Sequence, residues 1–222
     1  MPALQPYTRP GMTPHEPPAN SARTIAVLVP VKAFGQAKVR LAASLDPDAR
    51  ASLARRMAAI VLAAAQPLPV WVVCDDDAVA EWAATRGARV SWQPGRGLNA
   101  AVSAAVAEQA DAGIDRVIVA HGDLPLAREL SWLADPAARD ELVLVPDRRD
   151  DGTNVICVPA TAGFRFAYGA GSFRRHVAEG ARLGLAVRVE RDAALGWDVD
   201  TPDDLLAVAD LADPSTGPQK LR

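Results

Sequence analysis

Apolar runs of four to eight residues alternate with amphipathic segments from residue 24 almost to the end of the chain. Most of these runs are rich in Val and Ile and nearly apolar throughout, which is typical of strands buried on both faces of a sheet. They predict strands at residues 24–31, 70–74, 89–92, 116–120, 142–145, 155–158 and 186–189. Helical spacing and capping signals predict helices, counted with their capping residues, at residues 46–65, 75–86, 99–110, 173–183 and 201–211.

The alternation of strand and helix predicts an α/β fold with right-handed crossovers and a mainly parallel sheet that carries helices on both faces. Sheets of this kind bind ligands beyond the carboxyl ends of their strands. Several polar loops directly follow predicted strands, so we expect them to meet at one edge of the sheet. These loops are residues 32–40, 75–77, 93–99 and 122–125.

No linker-like break interrupts the alternation, so we expect a single domain at residues 23–212. The proline-rich residues 1–22 are expected to form a disordered leader, and residues 213–222 a flexible tail.

The formal net charge of −3 gives no general attraction for nucleic acid. No apolar run approaches the roughly 20 residues of a membrane span. Cys74 and Cys157 lie in apolar runs and read as buried free thiols, which suits the reducing cytoplasm.

Three aspartates are candidate metal ligands. Asp123 directly follows an apolar strand, within the turn HGDLP. Asp198 and Asp200 lie two residues apart in a segment predicted to be extended, so their carboxylates point to the same side while Val199 packs inward. Oxygen ligands with no His or Cys nearby suit Mg²⁺. The alternative for Asp123 is a helix cap, a common role for Asp before a helix.

A basic loop follows the first predicted strand and supplies the opposite charge. Its side chains Lys32, Lys38 and Arg40 are of the kind that neutralise phosphate oxygens, although an ordinary solvated loop is the alternative. The chain contains no G-x-x-x-x-G-K-S/T loop and no G-x-G-x-x-G fingerprint. Any nucleotide site must therefore be built in another way.

Three glycine-containing loops are candidate contacts for a base or an anion. Gly97 permits a close backbone approach, and Asn99 either reads a nucleobase edge or caps a helix. Thr153, after Gly152, and Gly169 with Ser172 are candidate anion contacts, with simple turn chemistry as the alternative. His121 and His176 lack an acid–nucleophile pattern and are interpreted as structural or supporting residues.

The ordered set of motifs resembles the 2-phospholactate/phosphoenolpyruvate guanylyltransferases of deazaflavin coenzyme (factor 420) biosynthesis. The resemblance runs from about Ile25 to Leu211, and each motif alone is weak. The matching pieces are VPVKAFGQAKVRL, GLNAAV, HGDLP, DGTNVI, FAYGAGSFRRH and WDVDTPDDL.

The resemblance implies a Rossmann-like nucleotidyltransferase fold and transfer of GMP from GTP to a three-carbon phosphoacid. The acceptor would be phosphoenolpyruvate, 2-phospho-L-lactate or 3-phosphoglycerate, and pyrophosphate would be released. The site roles that it implies fall into three sets. Asp123, Asp198 and Asp200 would hold two Mg²⁺ ions; Lys32, Lys38, Arg40, Gly97 and Asn99 would contact GTP, with Lys32 also catalytic; Thr153, Gly169 and Ser172 would hold the phosphoacid.

Two other functions compete with this one. Sugar-phosphate and molybdopterin nucleotidyltransferases carry a glycine-rich L-x-G-G-x-x-x-R loop after the first strand, whereas this chain has PVKAFG there. A non-catalytic nucleotide-binding module would not need the three aspartates. Because the family's product is regarded as labile, handover to the downstream deazaflavin-side transferase is a further expectation.

Overall fold

The computed structural model describes residues 24–135 and 138–205. Every predicted strand is confirmed, with bounds that differ from the predictions by up to two residues. The strands are β1 Ile25–Pro30, β2 Val70–Cys74, β3 Arg89–Trp92, β4 Arg116–Ala120, β5 Glu141–Pro146, β6 Thr153–Pro159 and β7 Ala186–Val189. The leader at residues 1–22 and the tail at 213–222 lie outside the described residues.

The predicted helices are found as well. They are α1 Pro47–Ala64, α2 Asp77–Thr85, α3 Leu98–Asp111, α4 Ser172–Arg182 and α5 Pro202–Leu205. The helix predicted at 201–211 is thus confirmed as far as Leu205, and its remainder lies outside the described residues. The sequence did not predict three single-turn 3₁₀ helices, at Phe34–Gln36, Val39–Leu41 and Ser131–Leu133.

All seven strands form one sheet in the order β3-β2-β1-β4-β6-β5-β7. The sheet is mainly parallel, as predicted, but β6 runs antiparallel to both of its neighbours, β4 and β5. The expected unbroken alternation of strand and helix is therefore wrong between β5 and β6. Only residues 147–152 join these strands, which is too short for a parallel crossover and enough for a hairpin.

The hairpin changes which residues reach the ligand-binding edge. Because β6 is reversed, its first residue, Thr153, lies at the same edge of the sheet as the carboxyl ends of β4 and β5. The hairpin loop at 147–152 joins that edge too.

Helices cover both faces of the sheet, as predicted. Helices α1 and α2 pack on one face, and α3 and α4 pack on the other. Helix α4 lies close to the sheet because of Gly180, where an added Cβ would come within 2.6 Å of Leu142 Cδ2 and 2.7 Å of Val187 Cγ2. In the described part of the chain, no helix has both the length and the apolar character that crossing a membrane requires.

A small third cluster supports the segment that carries the C-terminal aspartates. Val199 is fully buried there, as the alternating pattern predicted. It packs with Leu41 from the basic loop and with Leu53 and Met57 from α1. Buried apolar contacts therefore connect the end of the basic loop to the segment that carries Asp198 and Asp200, which we call the acidic segment.

Candidate active site

The predicted loops meet at one edge of the sheet and line a cleft of about 880 Å³. Each of the four loops that follow strands contributes side chains or backbone to it, which confirms the expectation that they share an edge. Lining residues from these loops include Lys32, Lys38, Arg40, Asp75, Asp76, Gln93, Gly97, Gly122 and Asp123, joined by Gly169 and Asp200.

Lys38 forms the centre of the charged end of the cleft. Its Nζ lies 2.5 Å from Asp123 Oδ2 and 3.2 Å from Asp200 Oδ1, and its side chain is only 10% exposed. Arg40 Nη1 contacts the other oxygen of Asp200 at 3.2 Å. Burial alone would lower the pKa of Lys38, but the two carboxylates hold that pKa above its usual value. The ammonium group therefore stays charged between two acids.

The backbone places Lys38 in an unusual conformation. Its φ of 55° and ψ of 39° lie in the left-handed region, which residues with a Cβ seldom adopt. The 3₁₀ turns Phe34–Gln36 and Val39–Leu41 flank it on either side. Such strain persists where the surrounding structure fixes it, and it is common in functional loops.

Asp123 follows the end of β4, where Gly122 lies close to the end of β1. An added Cβ on the preceding Gly122 would come within 3.4 Å of Pro30 O and Val31 Cγ2, so a side chain there would crowd the β1 backbone. Burial raises the pKa of Asp123, but the charge of Lys38 outweighs it and the pKa is held below its ordinary value. Asp123 is therefore ionised at neutral pH.

Asp198 has the opposite surroundings, although its segment runs beside Asp123. The N–H of Val199 donates to Asp123 O at 3.4 Å. Burial, with the charges of Asp123 and Asp200, raises the pKa of Asp198 to about 6. Both Asp123 and Asp198 have a buried Oδ1 that receives no hydrogen bond from the described residues.

Those two buried oxygens fit a cation, because a carboxylate oxygen can only accept and no residue in the described part of the chain donates to either of them. Within residues 24–135 and 138–205, however, no three His, Cys, Asp or Glu side chains are already grouped to hold a metal ion. The Lys38 ammonium group lies between Asp123 and Asp200 instead. The structure thus brings two of the three predicted carboxylates, Asp123 and Asp200, together around a lysine, whereas Asp198 neither contacts Lys38 nor is among the residues that line the cleft.

The predicted phosphoacid residues lie together where β6 and α4 begin, but only Gly169 is among the residues that line the cleft. Thr153 and Ser172 are 2% and 1% exposed, and their hydroxyl oxygens lie 3.5 Å apart. His176 Nδ1 lies 3.0 Å from Thr153 Oγ1. Gly169 lines the cleft, with its φ of 116° in the region that favours glycine. Asp151 holds this arrangement by accepting from the N–H of Gly171 at 3.0 Å.

The predicted nucleotide residues are more spread out. Lys32 is exposed and lines the cleft with Gly97, whereas Asn99 is not among the residues that line it. Asn99 Oδ1 accepts from the Tyr168 N–H at 2.7 Å, which ties α3 to the loop between β6 and α4. His121 lines the cleft beside Tyr168, with ring centroids 4.7 Å apart.

Sequence reasoning missed Gln93, a cleft residue that is 4% exposed. Its Nε2 donates to Glu108 Oε1 at 2.5 Å and to Ser91 Oγ at 3.1 Å. A glutamine directly after a strand carries little signal alone. Its role depends on Glu108, which approaches from α3 and is distant in the sequence.

Sequence reasoning also missed the anchor formed by Asp204 and Arg148. Asp204 is fully buried and accepts from the N–H groups of Asp200, at 2.8 Å, and Thr201, at 2.7 Å. Arg148, from the β5–β6 loop, donates to its other oxygen and stacks 4.2 Å over the Trp197 ring. These hydrogen bonds outweigh burial and lower the pKa of Asp204 to about 2. The spacing of Thr201 and Asp204 is that of a capping box, which was the available signal.

Comparison with known protein families identifies the family to which this chain belongs. Residues 25–210 match the model of a family described as guanylyl transferase CofC like. The chain belongs to this family. The match covers both ends of the cleft, from the basic loop to the acidic segment.

The names of related proteins in the CofC-like family contain two different acceptors. A phosphoenolpyruvate guanylyltransferase of Sphaerobacter thermophilus is 40% identical over 192 residues, which are 84% of this chain and 92% of that protein. A 2-phospho-L-lactate guanylyltransferase of Methanothermobacter thermautotrophicus is 34% identical over 183 residues, covering 80% and 81%. The protein is therefore a guanylyltransferase of the CofC-like family.

Solved structures show the same fold at low identity. A cytidylyltransferase from Leptospira borgpetersenii has a TM-score of 0.56 at 15% identity, covering 85% of this chain and 86% of that one. A 4-diphosphocytidyl-2C-methyl-D-erythritol synthase has a TM-score of 0.57 at 15% identity, covering 87% and 100%. The predicted nucleotidyltransferase fold is thereby confirmed.

Proposed function

We propose that this protein transfers GMP from GTP to the phosphate of phosphoenolpyruvate, releasing pyrophosphate, in deazaflavin coenzyme (factor 420) biosynthesis. The observation that carries the proposal is the pair of unpartnered buried oxygens on Asp123 and Asp198 beside the lysine-centred end of the cleft. 2-Phospho-L-lactate and 3-phosphoglycerate are the related acceptors that the test must include.

The carboxylates support a magnesium requirement. Asp123, Asp198 and Asp200 would hold Mg²⁺, in our proposal two ions, through hard oxygen ligands of the kind that this ion prefers. When bound, Mg²⁺ would neutralise charge on the phosphate oxygens during transfer.

The basic loop supports binding of the triphosphate. Lys32 and Arg40 are exposed at the cleft, and Lys38 holds its charge in the interior. A triphosphate brings several negative charges into a site that already contains three aspartates. We propose that Lys38 exchanges its carboxylate partners for phosphate oxygens, which reduces repulsion on both sides.

The transfer needs no protein nucleophile. A phosphate monoester has its second pKa near 6, so its oxygen is already anionic at neutral pH. In the proposed step this oxygen bonds to the α-phosphorus of GTP, and the bond from that phosphorus to the bridging oxygen of pyrophosphate breaks. The protein's own contribution is positioning and charge stabilisation.

The acceptor end supports a small anionic substrate. Thr153, Ser172 and Gly169 come together where β6 and α4 begin. The printed name of the Sphaerobacter relative favours phosphoenolpyruvate, and that of the Methanothermobacter relative keeps 2-phospho-L-lactate as the second choice.

A panel of acceptors with GTP and Mg²⁺ tests the proposal. We expect pyrophosphate release with phosphoenolpyruvate and a guanylylated product of the corresponding mass. Turnover with hexose phosphates but with neither phosphoenolpyruvate nor 2-phospho-L-lactate would overturn it in favour of a sugar-phosphate nucleotidyltransferase.

Asp123→Asn tests the site within the same assay. We expect the variant to lose activity, and its melting temperature to fall by less than that of Asp204→Asn, because Lys38 keeps Asp200 as a carboxylate partner. Asp203→Asn is the matched control, because Asp203 is an exposed aspartate close to the acidic segment. Activity retained in Asp123→Asn would contradict a metal role.

Direct handover of the product to the next, deazaflavin-side transferase is part of the same proposal. A labile product favours transfer before release into solvent. A coupled assay that adds a trap for free product measures this. Equal trapping with and without the partner enzyme would contradict handover.

A further inference from the structure

A hydrogen bond from the backbone fixes the protonation of His176. The N–H of Ala167 donates to His176 Nε2 at 2.9 Å, and the histidine is fully buried. A backbone N–H can only donate, so Nε2 carries no hydrogen. In the neutral ring the hydrogen is therefore on Nδ1.

Nδ1–H then donates to the Thr153 hydroxyl oxygen, 3.0 Å away. A hydroxyl that accepts through its oxygen still has its own hydrogen to donate. Ser172 Oγ lies 3.5 Å from the same oxygen, at the limit of a hydrogen bond, and holds that hydrogen weakly at most. No other described residue accepts it, so the Thr153 O–H is a donor that lacks a strong protein acceptor.

The position of Thr153 places this donor beside the end of β4, the strand that Asp123 follows. In the antiparallel pair, Ala120 lies opposite Val155, and the His121 N–H donates to Asn154 O at 3.0 Å. The Tyr168 ring links this group to the cleft, because its centroid lies 5.1 Å from that of His176 and 4.7 Å from that of His121, which lines the cleft two residues before Asp123. The available hydrogen therefore lies close to His121 and Tyr168, two residues that line the cleft.

Burial keeps this arrangement intact at neutral pH. It lowers the pKa of His176 to about 4, with a smaller contribution from the charge of Arg175. The ring is then neutral at pH 7, and the tautomer set by the backbone persists. Since both ring nitrogens are engaged within the protein, His176 is not available to contact the substrate itself.

We infer that His176 is a positioning residue that fixes the Thr153 hydroxyl as a hydrogen-bond donor to the anionic acceptor substrate. The inference rests on the proposed function, in which that acceptor is a phosphoacid. Its role is to aim a hydrogen bond, so it acts on acceptor binding and not on GTP binding.

A double-mutant cycle between Thr153→Val and His176→Phe tests the inference with the wild type's best acceptor. Thr153→Val should raise the acceptor KM by roughly 10-fold or more, the size expected for a hydrogen bond to a charged group, and leave the GTP KM within about twofold. His176→Phe should do nearly the same, and the double variant should be no worse than Thr153→Val alone. Thr153→Ser, which keeps the hydroxyl, should restore most of the acceptor affinity.

Two kinetic outcomes would overturn the inference. One is an acceptor KM in Thr153→Val equal to that of the wild type. The other is a His176→Phe effect that persists in full on the Thr153→Val background, which would indicate a general structural role for the histidine.

The imidazole ¹⁵N spectrum of the wild-type protein tests the same point without variants or turnover. We expect His176 as the Nδ1–H tautomer, in contrast to the Nε2–H form that free histidine prefers. An Nε2–H tautomer would overturn the inference even if every variant folds poorly. Absence of wild-type turnover with all acceptors would instead be a failure of the proposed function, and the tautomer would still decide the hydrogen-bond direction.

Discussion

Asp198 and Asp204 are the same residue type, six positions apart in one segment, yet their carboxylates have opposite surroundings. Asp204 is fully buried and accepts from two backbone N–H groups and from Arg148. Asp198 has a buried oxygen to which no described residue donates. Their pKa values follow, at about 2 for Asp204 and about 6 for Asp198.

The difference separates a carboxylate that holds the fold, Asp204, from one that takes part in the chemistry in the proposed function, Asp198. The satisfied carboxylate binds the N–H of Asp200 and so fixes the residue two places after Asp198. Arg148 extends this hold to the β5–β6 hairpin and to the ring of Trp197. The unsatisfied carboxylate costs stability, because a buried acceptor lacks its partner, and it is kept in place by its neighbours.

Asp198→Asn should have the largest effect, which is a loss of activity. Losing one of the carboxylates proposed to hold Mg²⁺ removes several kcal/mol of charge stabilisation, so we expect kcat to fall on the order of 10³-fold. The melting temperature should stay the same or rise, because an unpartnered charge is removed. Steady-state kinetics and thermal unfolding measure the two quantities. A large loss of stability with modest loss of activity would reverse the assignment.

Asp204→Asn should show the opposite pattern. Removing the charge leaves Arg148 without its buried partner, and breaking such a pair costs about 3 kcal/mol. For a domain of this size we expect the melting temperature to fall by roughly 6–12 °C. Calorimetry measures the change, with the exposed Asp203→Asn as control. An unchanged melting temperature would contradict the anchoring role.

Both ring nitrogens of His176 have hydrogen-bond partners, as the oxygens of Asp204 do. Its contribution to stability can be tested by changing the pH. Its pKa of about 4 in the folded protein lies below the value near 6.5 expected when unfolded. Its stabilisation is therefore complete above pH 6.5 and is lost as the pH falls toward 4, because only the unfolded state then gains the proton. Between pH 7 and 5 the wild type should lose about 2 kcal/mol of unfolding free energy on this account. Denaturant unfolding at both pH values, compared with His176→Gln, measures it, and equal losses in the two proteins would contradict it.

Arg148→Lys should give the smallest effect. Lysine keeps the charge opposite Asp204 but loses the planar stacking on Trp197, which is worth about 1 kcal/mol. We expect the melting temperature to fall by roughly 2–4 °C and activity to change little. A loss as large as that of Asp204→Asn would mean that guanidinium geometry, and not charge, holds the segment.

The sequence predicted the parts of this picture that depend on local pattern. The apolar run before Asp123, together with the position of ligand sites in parallel sheets, located the cleft. The i, i+2 spacing of Asp198 and Asp200 predicted the buried Val199 between them. The direction of β6 followed from loop length and was missed because the alternation elsewhere suggested crossovers.

The rest depended on contacts between residues distant in the chain. Asn99 has the same sequence context whether it reads a base or accepts from the Tyr168 N–H. Arg148 looks like one of several charges in a solvated loop until Asp204 is placed beneath it. The link from His176 to Thr153 requires α4 and β6 to be packed together, which no local pattern reveals.

Gly180 in α4 has a consequence for the position of the residues that are proposed to bind the acceptor. Gly180 lets α4 settle against Leu142 and Val187, and the same helix begins at Ser172, roughly 12 Å away. A methyl group added at Gly180 would push that end of α4 away from Leu142 and Val187, and because the helix is rigid its other end would shift as well. In the proposed function Ser172 contacts the acceptor, so a substitution at Gly180 would alter acceptor binding from a position inside the protein that does not face the cleft.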